Sequence, residues 1–315
     1  MAGGSTKAVV TALFANAGIA VAKFVGFLIT GASSMLAESI HSVADSGNQG
    51  LLLLGGARAQ RSATAQHAFG YGRARYFWAF VVSVVLFALG GMFSLYEGVQ
   101  KLLHPHEVTS LGVAIGILVL GLALEGFALR TAMNEAQPLR RGRSWWRFVR
   151  ETKVPELAVV LLEDLGALIG LTLALVGVVL ASVTGNPAWD AVGTLCIGAL
   201  LLVISVVLAV EMQSMLLGES ADPADVDVIR TTLSGTDGIT EVLDLRTQHL
   251  GPEQVLVAGQ IRMDGSLRAD EVVAVIDGAE RAVRHALSYR VDIFLEPDTA
   301  PDRSDDRDPS GDRAH

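Results

Sequence analysis

Six apolar runs, each about as long as a membrane crossing requires, constrain this 315-residue chain more than any other feature. A helix of about 20 apolar residues crosses the hydrocarbon core. Lipid satisfies no backbone polar group, so such runs fold as helices packed on one another. They cover about Ala8–Thr30, Ser34–Gly55, Phe77–Leu102, Ser110–Met133, Glu156–Val183 and Ala188–Met212. With 51% hydrophobic residues overall, the expected fold is an α-helical membrane protein of six transmembrane helices over residues 1–217.

The connections set the expected topology. Arg58, Arg61, Arg73 and Arg75 follow the second run, and the stretch Asn134–Lys153, read as a loop, carries five arginines with Trp145 and Trp146. The short turns Gly31–Ser34 and Thr184–Pro187 carry neither Lys nor Arg. Positive charge marks the cytoplasmic side, which places both termini there as well. Only Lys7 precedes the first run and no small-residue cleavage site is evident, so that run is read as a retained helix. The expected home of this multi-pass protein is the cell membrane, with an internal membrane left open.

After Leu217 the pattern changes. Asp222–Leu233 has helical spacing, Ile239–Gln248 and Gln254–Met263 read as strands across a Gly251-Pro252 turn, Ala269–Leu287 is an amphipathic helix and Tyr289–Leu295 a last strand. Residues 218–298 are therefore expected to form a cytoplasmic αββαβ domain of two layers. The tail 299–315, rich in Asp, Arg, Pro, Ser and Gly, is expected to be disordered. Cys196, the single cysteine, excludes intrachain disulfides and is read as a small buried hydrophobe.

Polar residues inside the spans point to function. The second run carries Glu38, His41, Asp45, Asn48 and Gln49, with His41 and Asp45 one helical turn apart on one face. Each ionisable group at mid-bilayer costs roughly 2.5–3.5 kcal/mol, so such groups face a bundle interior or a transport path. In the fifth run Glu163 and Asp164 interrupt the apolar sequence. They point about 100° apart, and Asp164 is expected to be the one that faces His41 and Asp45. One His and two or three carboxylates suit Zn²⁺, with Mn²⁺ and Fe²⁺ as harder alternatives. The bland readings are an interhelical hydrogen bond for the His/Asp pair and, for Glu163 and Asp164, an ion pair with a cation on a neighbouring helix such as Lys23.

Four segments together give the chain a resemblance to the cation diffusion facilitator family of divalent-metal transporters. They are His41-Ser-Val-Ala-Asp45, His67-Ala-Phe-Gly-Tyr-Gly-Arg73, Gly218-Glu-Ser-Ala-Asp222 and Ile293-Phe-Leu-Glu-Pro-Asp298. The resemblance implies proton-coupled export of a divalent cation, Zn²⁺ foremost, by a homodimer whose cytoplasmic domains dimerise. It implies a metal site built from His41, Asp45 and Asp164. The family's remaining ligand, four residues before that last Asp, is replaced by Val160. Glu163, water or another helix must supply it, and the Glu-Asp pair is similar to that of the zinc-transporter-like subgroup.

Protons and metal then compete for one site, because ligation requires a neutral His41 and ionised carboxylates. Gly90, Gly91 and Gly98 could let the third span approach its neighbours closely or could face lipid. The expected partners are the cation, protons, the bilayer and a second copy of the chain, with no nucleic acid and no prosthetic group. No enzyme is expected, since none of the seven histidines lies in a His-Glu-x-x-His helix. A membrane scaffold with a structural metal site is the remaining alternative. His249 and His285 are read as solvated surface residues.

Overall fold

The computed structural model describes residues 2–30, 33–104 and 111–298, with the backbone alone described at 2–8, 15, 23, 26, 27, 29, 30, 33–41 and 44. It divides into two compact units, Met1–Leu217 and Gly218–His315. The 299–315 tail and Gly31 and Ala32 of the first turn, for which expectations were given above, lie outside the described residues.

Helices fill the first unit: α1 (Ala2–Thr30), α2 (Ser33–Ala59), α3 (Ala74–Val85), α4 (Phe93–Leu103), α5 (Leu111–Arg140), α6 (Trp145–Glu151), α7 (Pro155–Thr184) and α8 (Ala188–Leu217). A π-helical segment, Leu86–Met92, joins α3 to α4 without a break. Among the described residues four helices are long and apolar enough to cross a membrane: Ala74–Leu103, Leu111–Arg140, Pro155–Thr184 and Ala188–Leu217. At 1.5 Å per residue, each of these 30-residue helices is about 45 Å long, enough to cross and project beyond the hydrocarbon. The polar face of α2 makes it the least apolar of the long helices.

Large apolar side chains cover the outside of this unit, among them Phe14, Phe87, Phe127, Val183 and Val203. In water so continuous an apolar surface would aggregate; in a bilayer it meets chains of its own kind. Cys196 lies on this exposed surface rather than in the interior, because the eighth helix has apolar residues all round and periodicity cannot say which face is buried. The core is built from small and branched residues, including Ala79, Ala132, Ala136, Ala158, Val159 and Val160.

Glycines let α4 and α8 approach closely. A Cβ on Gly98 would lie 3.0 Å from the backbone nitrogen of Leu195, and one on Gly198 would lie 2.8 Å from that of Leu95. The two helices therefore use reciprocal glycines to bring backbones together. Gly90 and Gly91 pack on Leu201 and Leu202 of α8, so the glycines of the third span pack inward rather than face lipid.

The Asn134–Lys153 stretch is not one loop. α5 continues through Pro138 to Arg140, Arg141 and Gly142 turn the chain with φ of 49° and 78°, and Ser144 caps α6 by accepting from the Arg147 amide. Hydropathy marks where lipid ends, whereas Glu135, Ala136, Gln137, Leu139 and Arg140 are good helix formers that carry α5 onward despite Pro138.

The second unit has α9 (Pro223–Ser234), β1 (Ile239–Gly251), β2 (Gln254–Met263), α10 (Ala269–Ala286) and β3 (Arg290–Asp298). Strand order is β1-β2-β3, antiparallel between β1 and β2 and parallel between β2 and β3. Alternate residues of β2, Val255, Val257 and Ile261, pack with Ile229 and Leu233 of α9 and with Ala279 and Val283 of α10. Both helices therefore cover one face of the sheet. Gly218 has φ of 110°, and a Cβ there would collide with Gln248, so only glycine makes this turn. Asp222 then caps α9 through the Ala224 amide. His249 is buried, contrary to the surface reading, with Nδ1 3.2 Å from the Gly251 carbonyl; His285 is exposed. A single residue in an alternating strand carries no mark of which sheet face the helices will cover.

Candidate functional site

α2 and α7 meet through polar side chains. Asn48 donates from Nδ2 to Glu163 Oε1 at 3.0 Å, and Gln49 donates from Nε2 to Glu163 Oε2 at 2.6 Å. All three side chains are buried. Glu163 and Asp164 lie eight and nine residues into α7, roughly 12 Å along its axis, well inside the span. Against an ionised Glu163 the amide nitrogens are the atoms that face the carboxylate, because an amide oxygen there would meet only another acceptor.

Asp164 is 1% exposed, and its Oδ2 has no hydrogen-bond partner among the described residues. The same holds for Asn48 Oδ1 and Gln49 Oε1. Three buried acceptor oxygens thus lie in one polar layer without a described donor. Burying such groups unsatisfied costs about 1–3 kcal/mol each.

Of the residues singled out from sequence, Asp45 is half-buried and lies near enough to Glu163 and Asp164 to interact with both. His41 is in α2 one turn before Asp45, and its side chain lies outside the described residues, as do those of Glu38 and Lys23. Among the described residues Glu163 is the acid hydrogen-bonded to α2, while the expectation that Asp164 faces His41 turns on a side chain outside them. The long amides of Asn48 and Gln49 reach it, which one-turn spacing of His and Asp does not reveal. Among the described residues no three His, Cys, Asp or Glu side chains are drawn together closely enough to hold a metal ion.

A further buried acid lies close by, on α5. Glu125 of α5 is 6% exposed and interacts electrostatically with both Glu163 and Asp164. Its signal in the sequence was its isolation, as the lone charged residue between Leu111 and Phe127. α5 packs directly on α7, with Gly121 against Leu171.

At the end of the bundle near the start of α7, Arg75 forms a buried bidentate pair with Glu156, and Arg150 binds Glu211 at 2.9 Å. Arg58 lies over Trp78 and Arg140 over Trp145. The hydrogen bond from Arg147, backed by one from Arg143, holds the Glu151 carboxyl below its ordinary value. At the other end Lys101 pairs with Asp190 at 3.2 Å. His67 stacks on Tyr71 in an exposed loop closed by Thr64.

Residues 9–217 match the cation efflux transmembrane domain. The chain is 34% identical over 264 residues to the mitochondrial proton-coupled zinc antiporter SLC30A9 of Homo sapiens, covering 83% of this chain and 46% of that protein. It is 27% identical to metal tolerance protein C4 of Arabidopsis thaliana, over 84% of this chain and 58% of the relative. It is 25% identical to the magnetosome protein MamB of Paramagnetospirillum magneticum, over 87% of each. The chain spans about half the length of the zinc antiporters it matches.

Proposed function

Because this chain belongs to the cation diffusion facilitator, or cation efflux, family of multi-pass membrane proteins, we propose that it exports a divalent cation, Zn²⁺ foremost, in exchange for protons. The cation is held between α2 and α7 by His41, Asp45 and Asp164, with Glu163 beside them. The observation that carries this reading is the pair of hydrogen bonds from Asn48 and Gln49 to Glu163, which ties the two helices together one turn from Asp45. Each Glu163 oxygen keeps a second lone pair that can still face an ion. The zinc antiporter named among its relatives supports both the metal and the proton coupling.

In this reading α1 and α2 complete six spans, and the arginine-rich end of the bundle is cytoplasmic, with both termini on that side. The working unit is a homodimer in the cell membrane, its residues 218–298 in the cytoplasm. Metal binding requires a neutral imidazole at His41 and ionised carboxylates, so a doubly charged ion and protons displace one another. Alternating exposure of that site lets an inward proton gradient drive the metal outward. Mn²⁺ and Fe²⁺ suit the mixed nitrogen and oxygen donors next best.

The test is metal uptake into proteoliposomes with and without a pH gradient, for Zn²⁺, Mn²⁺ and Fe²⁺ in turn. Zn²⁺ flux that rises with the gradient and is lost in both Asp45→Ala and Asp164→Ala is expected. Flux that persists in both variants refutes the site.

A further inference from the structure

Three features around Asp164 lack an account. Its Oδ2 is buried without a described donor. The position one turn earlier on α7 is Val160, fully buried and without an oxygen. Both oxygens of the adjacent Glu163 already accept from Asn48 and Gln49. Glu163 therefore serves first as a strut between α2 and α7, with only its remaining lone pairs to offer an ion, and an oxygen from another helix would complete the shell around Asp164.

Glu125 stands on the helix that can supply it. Glu125 is buried, and Gly121, one turn before it on α5, packs against Leu171 of α7, which sets Glu125 within electrostatic reach of Asp164. A carboxylate in an otherwise apolar stretch of a span is costly and is kept where it meets a cation or proton path. Setting it beside three other acids compounds that cost, and a divalent cation offsets it. Among the described residues these acids do not converge on one point, so a bound cation must draw the Glu125 side chain in, and its two methylenes give it more rotamers to do so than an Asp has.

We infer that Glu125 is a further ligand-bearing residue of the cation site, giving from a third helix the oxygen that Val160 cannot. The inference rests on the reading that the cation lies between α2 and α7. It makes the site one of three helices, α2, α5 and α7, so that loading and release couple α5 to the other two.

The full chain, purified and reconstituted, is titrated with Zn²⁺ alone by calorimetry, with flux measured in parallel. Glu125→Gln, which keeps shape and removes charge, is expected to weaken Kd by at least about tenfold while elution profile and Tm stay at or above those of the parent. Adding Val160→Asp to Glu125→Gln returns the missing carboxylate to α7 and is expected to bring Kd back to within about threefold. Asp164→Asn abolishes binding in either background. A Glu125→Gln protein that binds within about twofold of the parent, while Asp164→Asn does not bind, overturns the role of Glu125 and leaves the α2–α7 site standing. A loss that Val160→Asp does not recover assigns Glu125 to bundle packing and overturns it too. If Asp164→Asn binds as the parent does, the site itself is misplaced.

Discussion

Replacing Gln49 by Leu removes the donor to Glu163 Oε2, a contact of 2.6 Å between side chains that are both buried. The carboxylate oxygen left behind costs about 1–3 kcal/mol. Replacing Glu163 by Leu instead strands two donors, Asn48 Nδ2 and Gln49 Nε2, and costs about twice that. The double variant strands only Asn48, so its cost returns to about 1–3 kcal/mol, well short of the sum of the singles. In a bilayer the unfolded helices also find polar partners, which trims the expected coupling to about 1–2 kcal/mol. The assay is reversible unfolding of the four proteins in mixed micelles, read as a double-mutant cycle. Additivity within about 0.5 kcal/mol would mean that α2 and α7 do not meet through these side chains, and the proposed site would lose its carrying observation.

Gly198→Leu forces a side chain toward the Leu95 backbone, where even a Cβ would sit at 2.8 Å; a loss of about 1–3 kcal/mol is expected in the same unfolding assay. Arg75→Ala leaves Glu156 buried and unpaired and should cost about 3–5 kcal/mol, most of it recovered by adding Glu156→Ala. In the second unit, the backbone amide and then the hydroxyl of Ser266 bond to Asp264 and lower its pKa from 3.8. That contribution is present above 3.8 and fades as pH falls through the lower folded value. Ser266→Ala should move the Asp264 titration upward, part of the way to 3.8, in side-chain carboxyl NMR.

Much of the architecture follows from local chemistry. Long apolar runs fold as helices because lipid leaves the backbone no other partner, and period-two alternation in β2 places its odd-numbered residues on the covered sheet face. Helix ends were less legible: α5 runs seven residues past its apolar part because helix propensity and hydropathy are separate properties. Cys196 and His249 ended on faces opposite to those expected, since a helix that is apolar all round and a lone strand residue carry no mark of facing.

The site shows the same division. Spacing along one helix placed His41 and Asp45 on a shared face, and the cost of charge in lipid picked out Glu163 and Asp164. Both are properties of a single segment, readable without knowing its neighbours. That Asn48 and Gln49 reach Glu163, and that Glu125 approaches Asp164 from α5, depend on the rotation and depth of three helices against each other. Packing over the whole bundle sets those quantities, so only the tertiary structure could decide them.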